Sequence, residues 1–297
     1  MKAGKFVVNL MKFALEREVN KRTKSKDLSD FEIEYNVPYL NDGDSYHVFD
    51  YLHAKGKKRN ICIIDIHGGS YMMCTCHDNV YYASKFANEG FDVICLDYRP
   101  NDGKTGSTKD LIDQAVIGLQ YIFHHKKDLG LENHRFVLTG DSAGGHISLL
   151  IAEAISDQEF AKQLGYDFNN VKIDAVLVNS PAYDFAKLGR DRLTKSGLKR
   201  MFGPRFDDEE LNKLISPKEH IKSLNMPIFV STSKLDFIRE QPLMLKEDLE
   251  RLNLLHGFID IYSDDKLAIH VHNVIYPDTN DSIMVNKAMI DFINRLK

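Results

Sequence analysis

Six short, continuously apolar runs recur along the chain, and most are separated by segments with helical spacing of apolar residues. The runs cover residues 60–66, 91–96, 135–139, 173–178, 228–231 and 258–262. Strands of a parallel sheet are covered by helices on both faces, so they are apolar at successive positions rather than at alternate ones. The pattern predicts an α/β fold built on a mostly parallel, twisted sheet with helices on both faces.

Helical segments are predicted at residues 79–87, 109–124, 143–155, 240–252 and 282–296. In the last of these, one face carries four apolar residues, Val285, Met289, Phe292 and Leu296. Earlier in the chain, residues 31–35 and 46–53 alternate between apolar and polar, with a polar turn between them, which predicts an antiparallel pair of strands.

Composition limits the class of protein. Of the 297 residues, 43% are hydrophobic and 28% are charged, which is typical of a globular chain and excludes disorder. We expect a single domain over residues 1–297, with an amphipathic helix at about residues 1–25. The formal net charge of −4 provides no basic field for a nucleic acid. We therefore expect no nucleic-acid partner.

Neither a membrane anchor nor an export signal is evident in the sequence. No apolar stretch reaches the roughly 18 residues that a spanning helix requires, so we expect no stable membrane insertion. In the N-terminal segment, Lys12 interrupts the short apolar run, and no small-residue cleavage site follows. We expect a cytoplasmic protein, and the sequence leaves open a homodimer.

The four cysteines are Cys62, Cys74, Cys76 and Cys95. Two of them lie in apolar runs that resemble strands, which argues against a disulfide scaffold. Cys74 and Cys76 precede His77, but a zinc site needs further ligands at suitable spacing, and no second pair follows. We interpret the cysteines as buried thiols and expect no metal.

Residues 183–215 form a long interval between strand signals. The interval carries seven basic residues from Lys187 to Arg205, followed by an acidic cluster at residues 207–210. We predict a helical insertion that acts as a cap over the edge of the sheet. Its basic face is interpreted as solvated and balanced by the acidic cluster, although it could also attract an anionic substrate.

The strongest chemical signal is the segment Gly140-Asp141-Ser142-Ala143-Gly144-Gly145, which follows an apolar run and opens a helical one. A GxSxG motif between a strand and a helix is typical of a nucleophile elbow. The sharp turn exposes the Ser142 hydroxyl, and the glycines let strand and helix approach closely. The free amide of Ala143 at the helix N-terminus is a predicted donor to an oxyanion.

A second signal is His67-Gly68-Gly69-Ser70, directly after the first apolar run. Consecutive glycines allow a backbone that turns amides toward a ligand. By itself the segment is more typical of a tight turn with a buried, hydrogen-bonded His67 than of a binding site. Before a GxSxG motif, it predicts oxyanion donors from Gly69 and Ser70, with Gly68 shaping the turn.

With these motifs, the chain resembles the hormone-sensitive-lipase-like branch of the α/β-hydrolases, the esterase and acetylesterase group. The resemblance rests on His67-Gly68-Gly69 with Tyr71, then Asp97-Tyr98-Arg99-Pro100, then the GxSxG segment in that order, and it covers roughly residues 35–297. It implies the α/β-hydrolase fold with a helical cap. Ser70 departs from the family, which usually has a third glycine there.

The family order of catalytic residues is serine, acid, histidine. Asp236 lies just past an apolar run, where the family places the acid, and Asp260, Asp264 and Asp265 are weaker candidates. His270 and His272 both precede the last helical segment. The resemblance, aligned on Tyr276-Pro277, implies that His270 is the base and leaves His272 as the alternative.

These residues predict a serine carboxylic-ester hydrolase for short-acyl, small-molecule esters, with an acyl-enzyme intermediate and no cofactor. Two alternatives stay open. An amidase or formamidase of the same fold would share the elbow and the segment His67-Gly68-Gly69-Ser70, which is called the oxyanion segment below. A homologue that binds a small ligand without hydrolysing it would need a degraded triad, whereas Ser142, Asp236 and His270 form a complete set.

Overall fold

The computed structural model describes residues 26–190, 193–254 and 256–296. The helix predicted at about residues 1–25 lies outside the described residues. No helix in the described part of the chain is long and apolar enough to cross a membrane.

Eight strands form one sheet in the order β1-β2-β4-β3-β5-β6-β7-β8. The strands are β1 Ile33–Pro38, β2 Val48–Leu52, β3 Ile61–Ile66, β4 Asp92–Leu96, β5 Arg135–Asp141, β6 Ala175–Asn179, β7 Ile228–Ser233 and β8 His256–Ile261. Strand β2 pairs antiparallel with both β1 and β4, and the other neighbours are parallel. The predicted hairpin and mostly parallel sheet are confirmed.

Helices follow most of the parallel strands. They are α1 Val80–Ala87, α2 Thr108–His124, α3 Ala143–Ser156, α4 Gln158–Leu164, α5 Lys195–Phe202, α6 Glu209–Leu214, α7 Pro217–His220, α8 Glu240–Arg251, α9 His272–Ile275 and α10 Asn280–Asn294. Five of them confirm the helices predicted from apolar spacing. Apolar spacing predicted neither α4 nor α9 and did not separate the short helices α5 to α7, because stretches of four to eight residues carry too little periodicity.

Two apolar cores lie on opposite faces of the sheet. Along β4, Ile94 and Leu96 belong to one core, whereas Val93 and Cys95 belong to the other. Successive side chains of a strand point to opposite faces, so this alternation places the first core under α2, α3 and α8 and the second under α1 and α10. The sheet is therefore buried on both faces, as its continuously apolar strands require.

The chain between β6 and β7 carries α5, α6 and α7. Thr194 and Asp208 cap the first two of these helices by accepting backbone N–H groups with their side chains. Arg205 pairs with Asp208 at 2.6 Å, so part of the basic run meets the acidic cluster. The segment contributes both charged exposed side chains and a buried apolar face that includes Leu198 and Phe202.

Candidate active site

Ser142 lies at the sharp turn between β5 and α3, with a left-handed φ of 51°. The turn is held because Ser142 N donates to the carbonyl of Asn179 on β6 at 2.8 Å. Close approach of the helix to β3 requires glycine at position 144, where a Cβ atom would lie 1.9 Å from the carbonyl oxygen of Ile66. This is the strained geometry of a nucleophile elbow.

The structure brings together the three side chains that the sequence selected from distant positions. His270 Nε2 lies 2.9 Å from Ser142 Oγ. On the other side of the ring, Nδ1 lies 2.7 Å from Asp236 Oδ1. A neutral imidazole that donates Nδ1–H to the carboxylate presents a lone pair at Nε2 to the serine hydroxyl. The arrangement can remove the proton of Ser142.

Asp236 is buried just beyond β7, and its carboxylate is fully engaged in hydrogen bonds. Thr232 Oγ1 donates to Oδ2 at 3.0 Å, and the backbone N–H of Ile238 donates to Oδ1 at 2.9 Å. Burial on its own would raise the pKa of Asp236, but the charge and hydrogen bond of His270 lower it below its ordinary value. The carboxylate is therefore ionised and can stabilise an imidazolium.

His272 does not reach the serine. It begins α9 and is almost fully buried, and burial lowers its pKa. An extended segment would place both histidines on one face, because side chains two residues apart in a strand point the same way. The structure separates them, because Val271 between them has a left-handed φ of 50° and the chain turns directly into the helix. The weaker acid candidate Asp260 instead pairs with Arg239.

The segment after β3 faces the elbow with an unusual backbone. Gly69, Ser70 and Tyr71 all have positive φ, of 110°, 54° and 62°. The amides of Gly69, Ser70 and Ala143 have no hydrogen-bond acceptor among the residues described, as donors to an oxyanion require. Gly68 differs, because its N–H donates to Asp141 Oδ1 at 2.9 Å. Gly68 thus frames the site and is not a free donor.

A buried pair holds the start of this segment. His67 Nε2 lies 2.9 Å from Asp97 Oδ1, and the His67 ring stacks on Tyr98 at a centroid distance of 4.2 Å. Tyr98 in turn donates its hydroxyl to the carbonyl of His67 at 2.8 Å. Burial opposes a charge on His67, yet Asp97 raises the pKa of the imidazole. The pair links the motif at residues 97–100 to the oxyanion segment.

A second network behind the elbow was missed by the sequence analysis. Asn79 Nδ2 donates to Asp65 Oδ2 at 2.8 Å and to Asp141 Oδ1 at 3.0 Å. Asp65 is buried, and burial together with the charge of Asp141 raises its pKa to about 7. The detectable signal was a carboxyl group in the middle of the apolar run of β3.

A cavity of about 710 Å³ opens beside Ser70 and near His270. It begins at Ser70 of the oxyanion segment and at Phe237, whose exposed ring lies 4.4 Å from the ring of His270. Most of its lining is apolar, and the segment between β6 and β7 contributes Leu188, Leu193 and Met201. Such a cavity suits the apolar part of a small molecule.

The cysteines were predicted to be buried thiols. This is confirmed for Cys62, Cys76 and Cys95, whereas Cys74 is only half-buried. The structure also places donor atoms of Asp50, Cys76 and His77 within 4.8 Å of one another. His77 Nδ1 pairs with Asp50 Oδ2 at 2.5 Å, so an ion pair between these two side chains explains why they lie together. This cluster is separate from Ser142 and its partners.

The fold and the arrangement around Ser142 define the α/β-hydrolase class. The chain belongs to the BD-FAE family, whose model matches residues 50–246. Esterase B from Lactobacillus rhamnosis has a similar fold, with a TM-score of 0.85 at 20% identity over 99% of this chain and 95% of that protein. This similarity confirms the predicted fold class.

Similarity to curated proteins is partial. Endo-1,4-beta-xylanase B of Butyrivibrio fibrisolvens is 24% identical over 73% of this chain, which spans 33% of that protein. Esterase LipU of Mycobacterium tuberculosis is 29% identical over 57% of this chain and 57% of its own length. The chain therefore spans between a third and three-fifths of the length of these relatives.

Proposed function

We propose that the protein is a serine carboxylic-ester hydrolase with Ser142 as nucleophile, His270 as base and Asp236 as orienting acid. The observation that carries the proposal is the continuous hydrogen-bonded chain from Ser142 through His270 to Asp236 at a strained elbow. Relatives and structural neighbours that are named as esterases, among them LipU and esterase B, support the same reaction class.

In the first half of the reaction, Ser142 Oγ attacks the ester carbonyl carbon while His270 Nε2 takes the hydroxyl proton. The electron pair of the carbonyl moves to oxygen, and the backbone N–H groups of Gly69, Ser70 and Ala143 donate hydrogen bonds to the resulting oxyanion. His270 then gives its proton to the leaving alkoxide, and an acyl-Ser142 ester remains. Asp236 stabilises the imidazolium at both proton transfers.

The second half repeats these steps with water as the nucleophile. His270 removes a proton from water as its oxygen attacks the acyl carbon, and the same three amides hold the new oxyanion. Collapse of this intermediate returns the proton from His270 to Ser142 Oγ and releases the acid. The cycle uses only the side chains and amides of this chain.

We also propose that residues 183–215 act as a cap and that short acyl groups are preferred. Apolar side chains of this segment line the cavity, which supports a role in enclosing the substrate. The lining also carries the ion pair of Asp184 and Lys218, and a long alkyl chain packed against this pair would remove its remaining solvation at a cost.

The decisive experiment measures kcat/KM for p-nitrophenyl esters from acetyl to palmitoyl, together with an anilide and a formamide. We expect the short esters to be the best substrates and Ser142→Ala to lower turnover by about three or more orders of magnitude. A folded Ser142→Ala protein that keeps more than a tenth of wild-type turnover would contradict the proposed nucleophile. Faster cleavage of the amides would instead support an amidase.

A matched pair of histidine variants tests the base. We expect His270→Asn to lose nearly all activity, because the imidazole of His270 is hydrogen-bonded to the hydroxyl of Ser142. His272→Asn should keep the wild-type dependence of kcat/KM on pH. Thermal unfolding of both variants controls for loss of structure, since His272 is the more deeply buried side chain. The reverse pattern would make His272 the base.

A further inference from the structure

Part of the lining of the 710 Å³ cavity is polar. Three polar residues, Asp184, Lys218 and Gln241, lie there beside the apolar side chain of Met244. Asp184 and Gln241 are only 4% and 6% exposed, so most of each side chain is removed from bulk water. Polar groups in such a position usually have hydrogen-bond partners, and any group left without one can select a ligand.

The side-chain amide of Gln241 has a fixed orientation. Its Oε1 accepts two backbone N–H groups, from Tyr183 at 3.0 Å and from Asp184 at 2.7 Å. A flipped amide would point N–H groups at these donors, so Oε1 must occupy this position. Nε2 is consequently turned away from the backbone, and it makes no hydrogen bond with the residues that the structure describes. Gln241 thus offers free N–H donors to the cavity.

Lys218 adds a second donor on the same wall. Its Nζ lies 3.1 Å from Asp184 Oδ2 and 3.8 Å from Met244 Sδ. An ammonium group has three N–H donors, and a thioether sulfur is a weak acceptor, so Lys218 retains capacity for a further strong acceptor. Asp184 Oδ2 offsets the charge of Lys218, and the second ammonium group near this oxygen, that of Lys187 at 3.7 Å, is mostly exposed and screened by solvent. The buried part of this wall is therefore close to neutral, which favours a neutral oxygen over an anion there.

We propose that Gln241 and Lys218 form a specificity site for esters whose apolar substituent carries a neutral hydrogen-bond acceptor, such as a ketone or second ester carbonyl, at its far end. The inference rests on the proposed ester hydrolysis and adds its substrate class. The apolar lining holds the hydrocarbon part, and the two donors bind the distal oxygen. An unsubstituted chain in the same place would leave these donors without a partner.

The test compares p-nitrophenyl octanoate with keto analogues in which one methylene group beyond the third carbon is replaced by a carbonyl. A parallel series carries the keto group on the alcohol part of alkyl acetates, because either part of the ester could enter the cavity. Each rate is divided by that of hydroxide-catalysed hydrolysis, which removes differences in intrinsic reactivity. We expect at least one keto analogue to exceed its parent in kcat/KM by about tenfold, a net hydrogen bond of about 1.4 kcal/mol.

Gln241→Glu is the sharpest variant, because a carboxylate still accepts the two backbone N–H groups, while a charged acceptor oxygen that repels a ketone oxygen replaces the free donors. We expect it to lose the keto preference, measured as the ratio of kcat/KM for a keto analogue to that for its parent ester in the same protein. Lys218→Met should reduce the same preference and serves as a second variant if Gln241→Glu is unstable. Met244→Leu, which changes the same cavity without changing a donor, should retain it.

The outcomes separate this inference from the proposed function. If the parent esters are hydrolysed but neither keto series is preferred, the specificity site is wrong and ester hydrolysis stands. A keto preference that survives both Gln241→Glu and Lys218→Met would also overturn the site. If the wild-type protein cleaves none of the esters, the proposed function itself fails.

Discussion

Ser70 has a backbone conformation that L-residues rarely adopt, with φ of 54° at a position where related chains were expected to have glycine. Its side chain borders the cavity, while its amide is one of three free donors near Ser142. These two features separate the possible roles of the residue. The amide is available to an oxyanion whatever the side chain is, and the hydroxyl is not required for that contact.

We therefore expect Ser70→Ala and Ser70→Gly to retain kcat within about threefold of wild type. A donor supplied by the hydroxyl would be worth about 2.7–4 kcal/mol, equivalent to a fall in kcat of about a hundredfold or more. Steady-state kinetics on a short ester distinguishes the two cases. A hundredfold fall for Ser70→Ala would show that the hydroxyl takes part in the reaction.

Asp65 is a buried carboxyl whose pKa is raised to about 7, first by burial and then by the charge of Asp141. In the unfolded chain its pKa returns to the ordinary value of 3.8. Between these values the folded protein binds the proton more strongly than the unfolded chain does. The free energy of unfolding that proton binding to Asp65 contributes therefore falls as pH rises from about 4 to about 7. Above this range the contribution of the proton is fully lost.

Asp65→Asn should remove this contribution to the pH dependence, because an amide does not titrate and can still accept from Asn79. We expect the variant to resemble wild type near pH 4 and to be more stable than wild type at pH 8. Urea unfolding of both proteins at the two pH values measures the difference. An unchanged pH dependence would show that Asp65 does not bind a proton on folding in this range.

At the scale of elements, sequence pattern predicted most of the sheet because burial on both faces leaves continuous apolar runs. The ends of the strands were less predictable. Strand β5 continues through Asp141 and β7 through Ser233, where polar residues pair along the sheet but resemble a loop in sequence. The turn at Val271 was not predictable, because a left-handed φ at a β-branched residue has no local sequence signal.

The close approach of α3 to β3 depends on Gly144, which has no side chain. A Cβ atom at Gly144 would lie 1.9 Å from Ile66 O and 2.5 Å from His67 O, and neither backbone atom can rotate away. At Gly145, one residue later in the same helix, a Cβ atom would meet Pro181 at 3.0 Å, which requires only a small adjustment. The two glycines thus provide a matched comparison.

We expect Gly144→Ala to destabilise the fold by about 3 kcal/mol or more and to abolish activity, because β3 leads directly into the oxyanion segment. Gly145→Ala should cost less and leave a measurable enzyme. Urea unfolding and ester turnover of the two variants provide the test. Equal stability of Gly144→Ala and wild type would mean that the helix packs less closely on β3 than described.

At the scale of the whole molecule, Asp278 joins parts of the chain that are far apart in sequence. Its carboxylate accepts from Lys26 at 2.5 Å and from Lys85 at 2.7 Å, and Tyr81 donates its hydroxyl at 2.8 Å. The contacts connect the start of the described chain, α1 and the turn before α10. Partial burial would raise the pKa of Asp278, but these three hydrogen bonds lower it to about 2.

A lowered pKa in the folded state stabilises the protein above the unfolded value of 3.8, and this stabilisation is lost as pH falls toward 2. Asp278→Asn should therefore lower the free energy of unfolding near pH 7, by about 0.5–1 kcal/mol because the group is half exposed and screened by solvent. The difference from wild type should shrink in 1 M salt and disappear near pH 2.

Asp291→Asn on α10, whose side chain forms no ion pair with the residues described, is the matched control and should show neither effect. Urea unfolding of the three proteins across pH and salt measures these differences, and a constant deficit for Asp278→Asn down to pH 2 would contradict the electrostatic role.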